Sequence, residues 1–180
     1  RPGYGASTPL ADGTAPSWGA FADDLAHALV QIGIERTAVA GWSNGGSGAL
    51  ALAARHTALV SAVAVVGTPA PDDDVPWLPD EHRGLIHSLR PDPSSAIAVL
   101  TPALAELVVD PALAIGSLSR CPTNERLLEQ PAVRTALETM LVEAFRSGAA
   151  GLATDIVATN VAPLGFALGT IEAPVQLWYG

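Results

Sequence analysis

Apolar residues recur at three- and four-residue steps after Ser17. Trp18, Phe21, Leu25, Leu29 and Ile32 therefore share one face of a predicted helix. Ser17 stands where an N-cap belongs, and Gly33 stands where a helix commonly closes. The period then changes. Thr37–Trp42 is an apolar run of strand length, and Gly45 to about His56 is rich in Ala and Leu on every side, as expected of a fully buried helix. Val60–Val66 is almost continuous in Val and Ala, the composition of a parallel strand covered on both faces. The order helix, strand, helix, strand predicts a βαβ unit with a helix before it. Residues 1–16, rich in Gly and Pro, predict a loop.

The pattern breaks at Gly67. Pro69, Pro71, Pro76 and Pro79 enclose the acidic run Asp72–Asp74. Helical periodicity follows over Pro79–Arg90, Ser94–Val109, Asn124–Gln130 and Pro131–Ser147, with Pro at several starts. The next strand signal is Val175–Tyr179, after Pro174. About half the chain thus reads as a helical insertion between two strands of one sheet. There is no internal repeat and no low-complexity tract.

Composition narrows the chemistry. Of 180 residues 49% are hydrophobic and 15% charged, which excludes a disordered chain. The formal net charge is −9, and all 9 basic residues are Arg. Without Lys there is no G-K-[ST] phosphate loop, no Schiff-base Lys and no Ser-x-x-Lys motif. The acidic balance argues against a nucleic-acid partner. A single Cys, Cys121, excludes an intrachain disulfide and any multi-Cys metal site, and it reads as a small buried hydrophobe. No stretch predicts a membrane span; a cytoplasmic protein without a membrane partner is expected, although the absence of a leader signal carries no information in a chain that opens inside a loop. The chain opens at Arg1, inside what reads as a loop, so Arg1 is not expected to be the protein's own N-terminus.

One motif carries chemistry. Gly41-Trp42-Ser43-Asn44-Gly45 fits G-x-S-x-G in the context that motif needs, a strand before and a helix after. A strand that reverses directly into a helix crowds its own backbone. Gly41 and Gly45 are expected to relieve that crowding, leaving Ser43 strained at the tip with its hydroxyl clear of the sheet. The Asn44 backbone N–H, at a helix N-terminus, would be one oxyanion donor. The competing reading is a dinucleotide fingerprint, since Gly41, Gly45, Gly46 and Gly48 open a helix. Their spacing is not G-x-G-x-x-G, and Val60–Val66 lacks an acidic residue for a ribose.

These residues resemble the α/β-hydrolase family over most of the chain. Arg1-Pro2-Gly3-Tyr4-Gly5-Ala6-Ser7 is similar to the family loop after the fourth strand. Thr37–Trp42 with Ser43 resembles the fifth strand and nucleophile elbow, and Val60–Val66 the sixth strand. Gly165-Phe166, Ile171 and Pro174–Gly180 are similar to the end of the cap and the seventh strand. The implied fold is α/β, a partial α/β-hydrolase fold whose parallel strands carry a helical cap insertion. Residues 1–69 would be core with the elbow, 70–165 the helical cap, and 166–180 the return to the core. By the same resemblance strands one to four, the second oxyanion donor and the catalytic Asp and His fall outside these residues, and an internal fragment is expected. Its exposed strand faces would account for the high mean hydropathy of +0.33.

No in-chain substitute for the base stands out. His27, four residues after Asp23, reads as a solvated i,i+4 pair, and His56 as a cation at a helix C-terminus. His82 and His87 are five apart and share no helix face for a metal. Asp72–Asp74 read as a solvated acidic loop, and Asp155 receives no role. Trp42, Trp77 and Phe166 are candidates for an acyl or alkyl pocket, with core packing the competing reading. The resemblance implies a serine hydrolase acting through an acyl-enzyme at Ser43 on an ester, amide or related carbonyl, with a small-molecule substrate and no metal or organic cofactor. Ser at the elbow sets it apart from the dehalogenase and epoxide-hydrolase branches, which use Asp there. Residues 1–180 alone are expected to be nearly inactive. The alternative is a catalytically silent relative that binds a ligand or partner under the cap.

Overall fold

The computed structural model describes residues 1–118 and 122–179. Cys121, read from sequence as a buried hydrophobe, lies outside the described residues. The chain forms two compact units, Ala15–Ser94 with Asp155–Gly180, and Arg1–Thr14 with Ser95–Thr154.

The first of these holds the sheet. Helix α1 (Trp18–Gln31) starts on the predicted cap, with Ser17 Oγ accepting from the Ala20 N–H at 3.1 Å. Replacing Ser17 with alanine is expected to cost about 1 kcal/mol, read as a lower denaturant midpoint at unchanged slope. Gly33 closes the helix at φ +80°, where a side chain would be strained. The predicted apolar stripe is only half used. Trp18 and Phe21 are buried edge-to-face at 5.6 Å, while Leu25 and Ile32 are exposed. The small residues Gly19, Ala22 and Ala26 complete the buried face instead, because close helix approach favours short side chains there.

Strand β1 (Thr37–Trp42), helix α2 (Asn44–Arg55) and strand β2 (Val60–Val66) make the expected βαβ unit, and β1 pairs in parallel with β2. Strand β3 (Val175–Trp178) joins the other edge of β2 in parallel, from Val63↔Val175 to Val66↔Trp178. Leu52, Val63 and Val65 are buried between helix and sheet, whereas every residue of β3 is exposed. Helix α3 (Asp80–Leu89) follows β2.

The second unit is helical: α4 (Pro93–Val109), α5 (Pro111–Leu118), α6 (Pro122–Leu128) and α7 (Pro131–Ala144), with the first residues of α8 (Ala150–Asn160). Pro102 lies inside α4, so one ladder hydrogen bond is missing there. Two helices, α5 and α8, were not predicted. Here α8 mixes polar Thr154, Asp155, Thr159 and Asn160 among its three Ala and its Leu, Ile and Val, so it carries no clear amphipathic period. The N-terminal loop docks within this unit. Gly5 N–H donates to the Ala144 carbonyl at 2.9 Å, Ser147 Oγ donates to the Gly5 carbonyl at 2.9 Å, and the Tyr4 and Phe145 rings are 6.1 Å apart. Gly3 and Gly151 let the two backbones touch, since a Cβ on Gly3 would lie 2.7 Å from the Gly151 nitrogen.

Candidate functional site

Ser43 sits in the one-residue turn between β1 and α2, exposed, at φ 52° and ψ −132°. It is the sole non-glycine residue with positive φ among the described residues. Such a conformation costs on the order of 1–3 kcal/mol and persists only where its surroundings hold it. Three bonds do so. Its N–H donates to the Val66 carbonyl at 2.9 Å. Its carbonyl accepts from Gly46 N–H at 3.0 Å and from Thr68 Oγ1 at 2.7 Å. Thr68 is itself buried, and its carbonyl accepts from the Tyr179 hydroxyl at 2.9 Å. Asn44 opens α2, where the first N–H groups have no partner within the helix.

The steric part of the prediction divides unevenly. A Cβ on Gly41 would lie 2.2 Å from the Gly45 carbonyl oxygen and 2.5 Å from Gly46 Cα, so only glycine fits. Gly45, expected to share this duty, has open space where its Cβ would be. The second tight glycine is Gly46, whose Cβ would lie 1.8 Å from Thr68 Oγ1. Sequence reasoning missed Gly46 and Thr68. The Gly45-Gly46 pair was a signal for the first, but nothing local marks a threonine that bonds 25 residues back.

The candidate base positions are occupied elsewhere. His56 caps the far end of α2, about 18 Å along the helix from its start at 1.5 Å per residue. There its Nε2 bonds Asp23 at 2.9 Å, and Arg55 also holds Asp23 by two bonds. The Asp23 carboxyl is lowered in pKa, chiefly by its hydrogen bond from Arg55. His27 was expected to pair with Asp23, but its Nε2 lies 2.8 Å from the Gln31 amide nitrogen, because Arg55 and His56 claim the carboxylate. His82 is exposed on α3, and His87 lies 3.8 Å from Asp73. Among the described residues no histidine hydrogen-bonds Ser43, and no cluster of three or more His, Cys, Asp or Glu could hold a metal ion.

The acidic loop differs from expectation at one position. Asp72 is buried rather than solvated. It accepts from the Trp77 and Leu78 N–H groups at 2.7 Å each and from Arg83 Nε at 2.8 Å. A turn that brings two amides and a guanidinium onto one carboxylate compensates its burial. The Arg83 bond, then the Leu78 and Trp77 amides, hold the carboxyl well below the ordinary carboxylate range. The folded state therefore favours the ionised form. Its contribution to stability is full above about pH 4 and fades as acid protonates the group. Asp72→Asn is expected to flatten the acid limb of a melting-temperature profile below about pH 4, while leaving the neutral limb parallel to that of the parent.

A cavity of about 420 Å³ lies beside the elbow, between α2, the sheet and residues 164–171. Ser47, Val65, Thr68, Phe166, Leu177 and Tyr179 are among its walls. Of the three predicted pocket aromatics, only Phe166 lines it. Trp42 is 76% exposed at the end of β1, and Trp77 turns its indole N–H to the Ala70 carbonyl at 2.9 Å. Ser43 is not part of the wall. No described helix is long and apolar enough to cross a membrane.

Comparison with known proteins gives a consistent picture. The family model for the alpha/beta hydrolase fold matches residues 1–87. A hydrolase from Pseudomonas aeruginosa is similar to the chain with a TM-score of 0.64 and 23% identity, over 99% of this chain and 58% of that one. An enol-lactonase from Burkholderia xenovorans gives 0.56 and 22%, over 97% of this chain and 58% of that one. A carboxylesterase from the thaumarchaeon Nitrososphaera gargenis gives 0.59 and 15%, over 100% and 69% respectively. The chain thus spans 58% of the length of the first two structures. No curated protein matches the sequence.

Proposed function

The chain has the alpha/beta hydrolase fold, and we propose that within it Ser43 is the nucleophile of a serine hydrolase acting on an ester, amide or related carbonyl. The observation that carries this reading is the strained, exposed Ser43 at the strand-to-helix turn, held on both of its peptide groups. Strain of this kind concentrates where a reacting group must be presented. Ser43 Oγ attacks the carbonyl carbon, and the developing oxyanion takes a hydrogen bond from Asn44 N–H. The intermediate collapses to an acyl-enzyme as the alcohol or amine departs with the proton taken from Ser43, and water then hydrolyses that ester, releasing the acid and restoring the Ser43 hydroxyl. The base that accepts the Ser43 proton, and the acid that orients it, come in this reading from residues outside 1–180, since the described histidines are engaged elsewhere or exposed. The helices between β2 and β3 are the counterpart of the family's cap.

A fluorophosphonate probe tests the assignment in the complete protein. It should attach to a peptide containing Ser43 and to no other serine. Folded protein that resists the probe would favour a silent relative that only binds. Residues 1–180 alone should hydrolyse activated esters at close to the background rate. Turnover by that fragment at a rate normal for an enzyme would overturn the division of the catalytic residues.

A further inference from the structure

The elbow is gripped from outside its own motif. Thr68 Oγ1 donates to the Ser43 carbonyl at 2.7 Å, the shortest of the three bonds that hold this residue. The hydroxyl fits there because Gly46 has no Cβ, and Thr68 is 4% exposed, so water does not compete for the carbonyl. Thr68 is held in turn. Gly67 N–H donates to the Trp178 carbonyl at 2.8 Å, and the Tyr179 hydroxyl donates to the Thr68 carbonyl at 2.9 Å. The turn after β2 is thereby tied both to the elbow and to the end of β3.

The Ser43 carbonyl and the Asn44 N–H belong to one planar trans peptide and point to opposite sides of it. A hydrogen bond that fixes the carbonyl therefore fixes the direction of the N–H. It also polarises the amide, which makes that N–H a stronger donor. Resting on the reading of Ser43 as nucleophile, we propose that Thr68 is a positioning residue that aims and strengthens the Asn44 N–H toward the oxyanion. It touches no substrate and acts through the peptide between Ser43 and Asn44. Its effect should fall on the chemical step rather than on substrate binding, because the oxyanion exists only in the transition state and the intermediate.

The test measures kcat and KM for a p-nitrophenyl ester, and the rate of fluorophosphonate labelling, in the complete protein carrying Thr68→Val or Thr68→Ser. Valine keeps the shape and removes the donor. It should lower kcat about tenfold, less than the about 10²–10³ lost when an oxyanion donor is deleted outright, with KM within about twofold. Labelling should slow in parallel. Serine restores the hydroxyl and should return kcat to within about twofold of the parent. A folded Thr68→Val enzyme with unchanged kcat, or a Thr68→Ser enzyme that folds and is as slow as the valine variant, would overturn the inference. Should valine prevent folding, the serine variant still decides, since loss of kcat with its hydroxyl present contradicts the role. Absence of labelling at Ser43 in the parent protein would instead sink the nucleophile assignment itself.

Discussion

Ser43→Ala is expected to lower turnover of an ester by about 10⁶ and to abolish fluorophosphonate labelling, with no loss of fold. Removing a nucleophile from a preassembled site costs about as much as removing the whole catalytic set, because the base and acid have nothing left to activate. The alanine keeps a Cβ at φ 52°, so the backbone strain stays in place. A glycine separates the two properties. Ser43→Gly should be equally inactive yet about 1 kcal/mol more stable, since glycine adopts positive φ without steric cost. Thermal melts of the two variants beside kcat give the comparison. A Ser43→Ala protein that retains normal turnover would remove Ser43 from the chemistry. A Ser43→Gly protein no more stable than Ser43→Ala would show that the turn stores no strain.

The second large effect is structural. Gly41→Ala should destabilise by about 3 kcal/mol or more, a drop of about 6–12 °C in melting temperature for a chain of this size. Its Cβ would press on the Gly45 carbonyl oxygen at 2.2 Å and on the Gly45 carbonyl carbon at 2.4 Å. Both are backbone atoms of α2, and neither can rotate away. Relief requires the strand and the helix to separate, which breaks the grip on Ser43 and should cost labelling as well as stability. Gly45→Ala is the contrast. With open space at its Cβ and a helical position, it should be neutral or stabilising by about 0.5–1 kcal/mol. Equal damage from both substitutions would mean that the turn is held differently from the arrangement described here.

The opposite behaviour expected of two glycines in one motif shows where sequence reasoning stops. G-x-S-x-G states that a strand must reverse into a helix around a serine, and β1, Ser43 and α2 follow it residue by residue. Which glycine meets a neighbour depends on where the helix axis lies over the sheet, and Gly46 rather than Gly45 faces the turn after β2. The same division runs through the rest of the site. Asp72 was legible as one member of an acidic run, whereas its burial depends on Trp77, Leu78 and Arg83 closing over it. Phe166, Trp42 and Trp77 looked alike as apolar side chains, and only the packing of residues 164–171 against α2 and the sheet separates the first from the other two.

The three strands, the βαβ unit of the first two, the capped start of α1 and the turn that presents Ser43 were all readable from residue type and spacing. Each depends on interactions within a few residues, or on apolar periodicity that a local window contains. Helix α8 escaped because its polar residues Thr154, Asp155, Thr159 and Asn160 are scattered among apolar ones and mark no single face. The grip of Thr68 on Ser43, the seating of Asp72 and the half-used stripe of α1 required the folded chain. They join residues far apart in sequence, and no pattern of residue types encodes which distant polar atom a buried group will find.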